Sequence, residues 1–158
     1  MKIRLVCVGK IREPYIADGV TEFRKRILRY VPLDYVEVKA EKRRKNSPDT
    51  EVRQRECERI QKAIAPQEYV VALDERGPQY TSREFADFIA RCQCDGAIKS
   101  LTFVTGGATG FTQTLLRQAN TVLSLSKMTF PHQLCRLMLL EQVYRAYTIL
   151  AGEPYHKD

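Results

Sequence analysis

The sequence predicts an α/β fold, a mostly parallel sheet flanked by helices, and three features carry that reading. Five short runs read as strands, and several are nearly continuous in apolar residues, as strands covered on both faces tend to be. Stretches with helical spacing lie between them, and strands that alternate with helices imply crossover connections and hence parallel pairing. No internal repeat, low-complexity tract or Pro/Gly-rich linker divides the 158 residues, so 1–158 read as one domain around a single core.

Taken in order, Ile3-Arg4-Leu5-Val6-Cys7-Val8 is the first strand, ended by Gly9, and a helix follows over about 14–30. Tyr35-Val36-Glu37-Val38 is the second strand, with a helix over 49–64 after it. The third strand is Tyr69-Val70-Val71-Ala72-Leu73 and its helix spans 81–93. Leu101-Thr102-Phe103-Val104 is the fourth, trailed by a short helix at 112–118, and Thr121-Val122-Leu123-Ser124-Leu125 is the fifth. The last helix, 132–150, has Pro131 for its first turn, Gly152 for its C-terminal cap and Pro154 to prevent continuation. Leu134, Leu137, Met138, Leu140, Val143, Tyr144, Tyr147 and Leu150 spread round most of its circumference. A helix apolar nearly all round needs cover on more than one side, and a second copy of the chain is the natural source, which predicts a homodimer. Glu141 and Arg145, at i and i+4, read as a pair along the remaining polar stripe.

A formal net charge of +7 points to a polyanionic partner, because each cation that meets a phosphate releases condensed counterions, and nucleic acid leads that class. The charge concentrates in Lys39-Ala40-Glu41-Lys42-Arg43-Arg44-Lys45-Asn46 after the second strand, and Arg53, Arg55, Arg59 and Lys62 continue it along the next helix. That loop reads either as a solvated surface or as a phosphate-contacting arm made by Lys42, Arg43, Arg44 and Lys45. The five cysteines form an odd set, and Cys7 and Cys135 fall inside apolar patterns, which favours a reducing cytoplasm. Cys92-Gln93-Cys94 has neither the spacing nor the second pair of a zinc knuckle, so no metal is expected. No membrane is expected either: the run Leu137-Met138-Leu139-Leu140 is far too short to span a bilayer, and no signal-like segment is present.

Two segments and the tail stand out chemically. Thr105-Gly106-Gly107-Ala108-Thr109-Gly110 follows a strand, where glycines let the backbone turn tightly and approach a ligand. Its spacing is not the dinucleotide G-x-G-x-x-G, and no G-x-x-x-x-G-K-[ST] occurs anywhere, so alone it reads as a structural turn. Ser124-Leu125-Ser126-Lys127-Met128-Thr129-Phe130-Pro131-His132 runs from a strand end to a helix start, at the sheet edge where open α/β folds bind ligands. Ser126 and Thr129 there also read as helix N-caps, and His132 as a packing residue. Beyond the last helix, Glu153-Pro154-Tyr155-His156-Lys157-Asp158 carries one of only two histidines, although termini seldom hold chemistry.

In combination these pieces resemble a known family. Leu73-Asp74, Gly-Gly-x-x-Gly at 106–110, Leu-Ser-x-x-Thr-x-Pro-His at 125–132, Glu-Gln-x-Tyr-Arg-Ala at 141–146 and Pro-Tyr-His-Lys at 154–157 match the SPOUT-class ribosomal RNA methyltransferases of the RlmH (YbeA-like) type. The resemblance spans the whole chain. It implies a C-terminal trefoil knot, a homodimer, S-adenosylmethionine as cofactor, and methylation of N3 of a pseudouridine in 23S ribosomal RNA. It also implies a cofactor pocket built from Leu73, Gly106, Gly107, Leu125, Ser126, Lys127, Met128, Thr129 and Phe130. Leu73, Leu125, Met128 and Phe130 suit the apolar walls that adenine needs, and the glycines leave room for close approach. Methyl transfer is an in-line displacement that requires no metal and gains from orienting the nucleophile; the N3 proton is the remaining obstacle, eased by a base or a nearby cation.

On this reading the tail folds over the cofactor site. His156 hydrogen-bonds or deprotonates the base, Tyr155 stacks on it, Lys157 meets phosphate or developing negative charge, and His132 is the alternative catalytic group. Many relatives of this type carry arginine where this chain has Lys157, which keeps the charge without the bidentate fork. Two other functions fit parts of the sequence. A non-catalytic ribosome-associated RNA-binding protein explains the basic loop but leaves the Gly-Gly-Ala-Thr-Gly and Leu-Ser-Lys-Met-Thr-Phe segments without a purpose, and a knotted methyltransferase acting on tRNA would share the pocket.

Overall fold

A computed structural model describes residues 1–42 and 47–157. Five parallel strands, β1 (Lys2–Val8), β2 (Leu33–Val38), β3 (Tyr69–Leu73), β4 (Ser100–Thr105) and β5 (Thr121–Leu123), pair in the order β2-β1-β4-β3-β5. Between and after them run α1 (Pro14–Ile27), α2 (Asp49–Ala63), α3 (Ser82–Cys94), α4 (Gln113–Gln118) and α5 (His132–Leu150). Strand alternation sorts the core into two layers. Ile3, Leu5, Cys7, Val71, Leu101 and Phe103 pack with residues of α1, α3 and α5. Val6, Val8, Ala72 and Val104 turn the other way, onto Cys57 and Ile60 of α2 and Leu115 of α4. β4 lies between β1 and β3 and is buried at every position, its hydroxyl residues Ser100, Thr102 and Thr105 included.

The expected elements are all present, and their ends shift for local reasons. α1 stops at Ile27 rather than near 30: Val31 precedes a proline, which disfavours helical backbone, and its N–H closes a last turn on Ile27 O at 3.1 Å. β5 ends at Leu123 because the Ser124 N–H leaves the ladder for Pro78 O at 2.9 Å, which frees Leu125 to enter the loop beyond. α3 starts after Thr81, whose hydroxyl accepts from Glu84 N at 3.2 Å while Glu84 Oε2 accepts from Thr81 N at 2.7 Å. Pro131 stands just before α5 instead of inside its first turn, and Gly152 closes the other end with φ +69°.

α5 packs on α1 and α3 through Leu139, Leu140, Val143, Ala146 and Tyr147, and it meets α1 so closely that a Cβ on Gly19 would lie 2.8 Å from Leu137 Cδ1. Its other apolar side is less covered. Leu134, Leu137 and Met138 line an open cleft of about 630 Å³ together with Phe23, Tyr80 and Phe85. No helix among the described residues is long and apolar enough to cross a membrane. Because every strand is parallel, all their carboxyl ends share one edge, and the loops leaving β3, β4 and β5 converge there.

Candidate active site

A cavity of about 830 Å³ opens at that edge. Leu73 from the end of β3, Gly106 and Gly107 after β4, and Leu125, Ser126, Met128, Thr129 and Phe130 after β5 all line it, with His132 at the start of α5. Of the residues expected around a cofactor, Lys127 alone is not among the lining residues, and it is exposed.

Backbone proximity explains the glycines. A Cβ on Gly107 would sit 2.4 Å from Glu56 Oε2, and one on Gly106 would sit 3.2 Å from the Gly110 carbonyl carbon. The left-handed conformation belongs to Gly110, with φ +71°, whose N–H bonds Gly107 O at 3.1 Å. The turn's conformational demand therefore falls on Gly110, and Gly106 and Gly107 serve close approach. Ser126 and Thr129 are not helix caps. Ser126 Oγ accepts from Met128 N at 2.9 Å within the loop, Thr129 Oγ1 reaches Glu75 Oε2 at 3.3 Å, and α5 has no side-chain cap.

Charge is distributed unevenly around the cavity. On the β3 side, Arg76 grips Asp74 with Nε at 2.7 Å and Nη2 at 2.9 Å, which holds the Asp74 carboxyl below its ordinary range. Arg53 donates to Thr109 O at 2.7 Å, and Thr109 Oγ1 is buried with no hydrogen-bond partner. Burial, then the cations of Arg136 and Arg12, push the His132 pKa below 6.5, so its imidazole is neutral at pH 7.

Arg136, one turn further along α5, escaped the sequence reading. It is fully buried, donates to Gly9 O at 2.9 Å and to Val8 O, and lies 3.6 Å from Glu37 Oε1. It thus ties α5 to the ends of β1 and β2. An arginine set among apolar residues, with no acidic residue at i±3 or i±4 on its own helix, was the signal that marked it.

The tail lies elsewhere. Tyr155 donates to Glu141 Oε1 at 3.1 Å, packs edge-on to Tyr144 at 4.8 Å and lies beneath the Arg145 guanidinium at 4.8 Å, while Arg145 Nη1 meets His156 Nδ1 at 3.3 Å. The pair Glu141 and Arg145, read from sequence as helix support, is the clamp of this tail. At ~1.5 Å per residue, Arg145 is about 20 Å from His132 along α5. Tyr155 and His156 are therefore held away from the cavity of their own chain. Lys42 is exposed, and Arg43, Arg44 and Lys45 fall outside the described residues. Among the described residues no group of His, Cys, Asp or Glu is arranged to hold a metal ion.

The chain has counterparts among known proteins in sequence and in fold. A family model described as "Predicted SPOUT methyltransferase" matches residues 1–156, and the chain belongs to that family of methyltransferases. Its relatives include proteins named "Ribosomal RNA large subunit methyltransferase H". The one from Geobacter sulfurreducens is 46% identical over 156 residues and the one from Trichlorobacter lovleyi 48% over 156, each covering 99% of both chains. Among solved structures, the tRNA (m1G37) methyltransferase of Aquifex aeolicus superposes with a TM-score of 0.55 at 11% identity, over 100% of this chain and 76% of that one. A probable methyltransferase from Bordetella pertussis Tohama I also gives 0.55, at 16% identity over 91% of this chain and 92% of that one. At such identities the likeness concerns the fold.

Proposed function

We propose that this enzyme methylates N3 of a pseudouridine in 23S ribosomal RNA within the cytoplasm, with S-adenosylmethionine as methyl donor. The observation that carries the reading is the convergence of three separate sequence motifs, around Leu73, Gly106 and Leu125, on one cavity of about 830 Å³. The residues present fit this cofactor. Leu73, Leu125, Met128 and Phe130 offer apolar walls, Gly106 and Gly107 expose backbone, and the buried, unpartnered Thr109 hydroxyl supplies a polar group in need of a ligand. Glu75 adds a carboxylate to the β3 wall, where Asp74 is already paired with Arg76, and a carboxylate there suits the cationic end of the donor. S-adenosylmethionine supplies the electrophilic methyl group. The chain's residues hold the acceptor nitrogen in line and remove or offset its proton, a task for which a neutral His132 at the cavity wall and the tail's His156 are the candidates.

Since the tail sits about 20 Å along α5 from its own cavity, its action requires the cavity of a second subunit. This supports the homodimer, with the cleft beside Leu134, Leu137 and Met138 as the surface a second copy covers. The trefoil knot of the C-terminal region belongs to the same reading. The test is to incubate the purified protein and S-adenosylmethionine with large ribosomal subunits from cells lacking the gene, then map the mass of the rRNA. A single new methyl on pseudouridine is expected. Methylation of naked tRNA in place of rRNA would reassign the substrate, and absence of cofactor binding in calorimetry would remove the enzymatic reading.

A further inference from the structure

The edge that bears the cavity has a second half, and its chemistry differs. The cavity occupies the ends of β3, β4 and β5, whereas beyond β1 and β2 the chain presents Lys10, Arg12, Lys39 and Lys42, all exposed. The two segments that carry them are neighbours. Gly9 N donates to Val38 O at 2.7 Å, and a Cβ on Gly9 would approach Ala40 Cβ to 3.2 Å. Among the described residues none of the four side chains is engaged in an ion pair or hydrogen bond. The nearby carboxylates are committed to other arginines: Glu41 pairs with Arg55 at 3.1 Å and with Arg59, and Glu37 faces Arg136.

This basic rim is joined to the cavity at both ends. Arg12 N donates to Gln133 Oε1 at 2.7 Å, next to His132 in the cavity wall. Glu41 N donates to Glu56 Oε1 at 3.0 Å, and the same carboxylate abuts Gly107 in the cavity loop. Unpaired cations on a surface contiguous with a reaction cavity, held apart from local carboxylates by competing arginines, are arranged to meet phosphate.

We infer that Lys10, Arg12, Lys39 and Lys42 form the track on which the RNA backbone lies, so that the strand crosses the β1–β2 edge and delivers the acceptor base to the cavity beside His132. This rests on the RNA-methyltransferase reading and adds to it the direction of approach. Phosphate contacts of this kind set register and affinity without reading bases.

The experiment uses the full-length protein with Lys10→Ala and Arg12→Ala combined, and a second variant that adds Lys39→Ala. Binding to large ribosomal subunits is measured across a salt series, beside S-adenosylmethionine affinity and methylation. A control removes Arg91 and Lys99, which lie at the opposite, amino edge of the sheet near the end of α3 and the start of β4. Weaker subunit binding is expected, with the log–log salt slope reduced in magnitude by about 0.7–0.9 for each lost contact, unchanged cofactor affinity, and a parental slope for the control. A parental slope in the rim variants, or an equal loss in the control, overturns the track. A parent protein that leaves rRNA unmethylated fails the functional reading instead, and the salt series in the same preparation separates the two.

Discussion

Gly107 gives the most direct local test, because its lack of a side chain is what lets the loop after β4 lie against the buried Glu56 carboxylate. A methyl there would come within 2.4 Å of Glu56 Oε2 and push the loop into the cavity. Gly107→Ala and Gly106→Val are therefore expected to abolish most affinity for S-adenosylmethionine while the far-UV spectrum stays parental, and calorimetric titration reads the loss. Near-parental affinity would mean that the glycines serve only the turn. His132 supplies a pH signature. Burial and its cationic neighbours place its pKa below the ordinary 6.5, so the unfolded chain binds more protons as the pH falls through that value. The neutral imidazole's contribution to stability is accordingly whole above 6.5 and lost on the way down to the depressed folded pKa. Denaturant melts should show parental stability declining more steeply below pH 6.5 than that of His132→Gln. Parallel curves would contradict this.

At the scale of elements, α5 links the cavity to the tail. Its first turn carries His132, its second anchors through Arg136 to the ends of β1 and β2, and its later turns hold Tyr155 and His156 with Glu141 and Arg145. A rigid helix thus fixes the distance between the group in the cavity wall and the group on the tail. Beyond Pro154 the chain adds little to the core, its contacts being with Glu141, Tyr144 and Arg145 at the half-buried surface, so core stability alone does not explain the Tyr-His-Lys cluster. His156→Ala, or removal of 155–158, should leave thermal unfolding and cofactor affinity near parental. Single-turnover methylation should fall by ~10²–10⁴, the range for a positioned base or hydrogen-bond partner. A parental rate would move the proton-transfer role to His132.

The whole molecule has to reconcile two facts: the tail and the cavity of one chain are apart, and an apolar cleft beside α5 is open. The proposed dimer, with each tail reaching the cavity of the other copy, would satisfy both. Light scattering should give a dimeric mass at micromolar concentration. More specifically, Gly106→Val lacks a working cavity and His156→Ala lacks a working tail, so each alone is inactive, but a mixture can assemble heterodimers with one intact cavity facing one intact tail. Mixing the two should restore part of the methylation, one working site of the two in each heterodimer and so about a quarter of the parental sites on equal, random mixing, by symmetry of the interface. No recovery in mixed, re-equilibrated subunits would place the tail's partner within its own chain.

Much of this protein was determined by the sequence alone, through interactions that are local or periodic. The apolar runs from Ile3 to Leu125 gave strands within a few residues of their observed ends, since a strand covered on both faces admits few polar side chains. The Gly-Gly-Ala-Thr-Gly and Leu-Ser-Lys-Met-Thr-Phe segments stood out at strand ends, but alone they read equally as a turn and as helix caps, and only the resemblance of the whole chain assigned them to one pocket. The strand order β2-β1-β4-β3-β5, which makes neighbours of the loops after β3, β4 and β5, was decided only by tertiary structure. So was the task of Arg136, whose partners Val8 and Gly9 lie at the far end of the chain, and that of Glu56, whose contact with Gly107 no spacing rule anticipates. The tail shows the division most clearly. Its residue types announced chemistry, but its place, clamped by Arg145 some 20 Å along α5 from the cavity of the same chain, depends on the rigid rise of a helix and on contacts between side chains. Periodicity encodes which face is buried, and only packing in three dimensions decides which buried faces and loose ends meet.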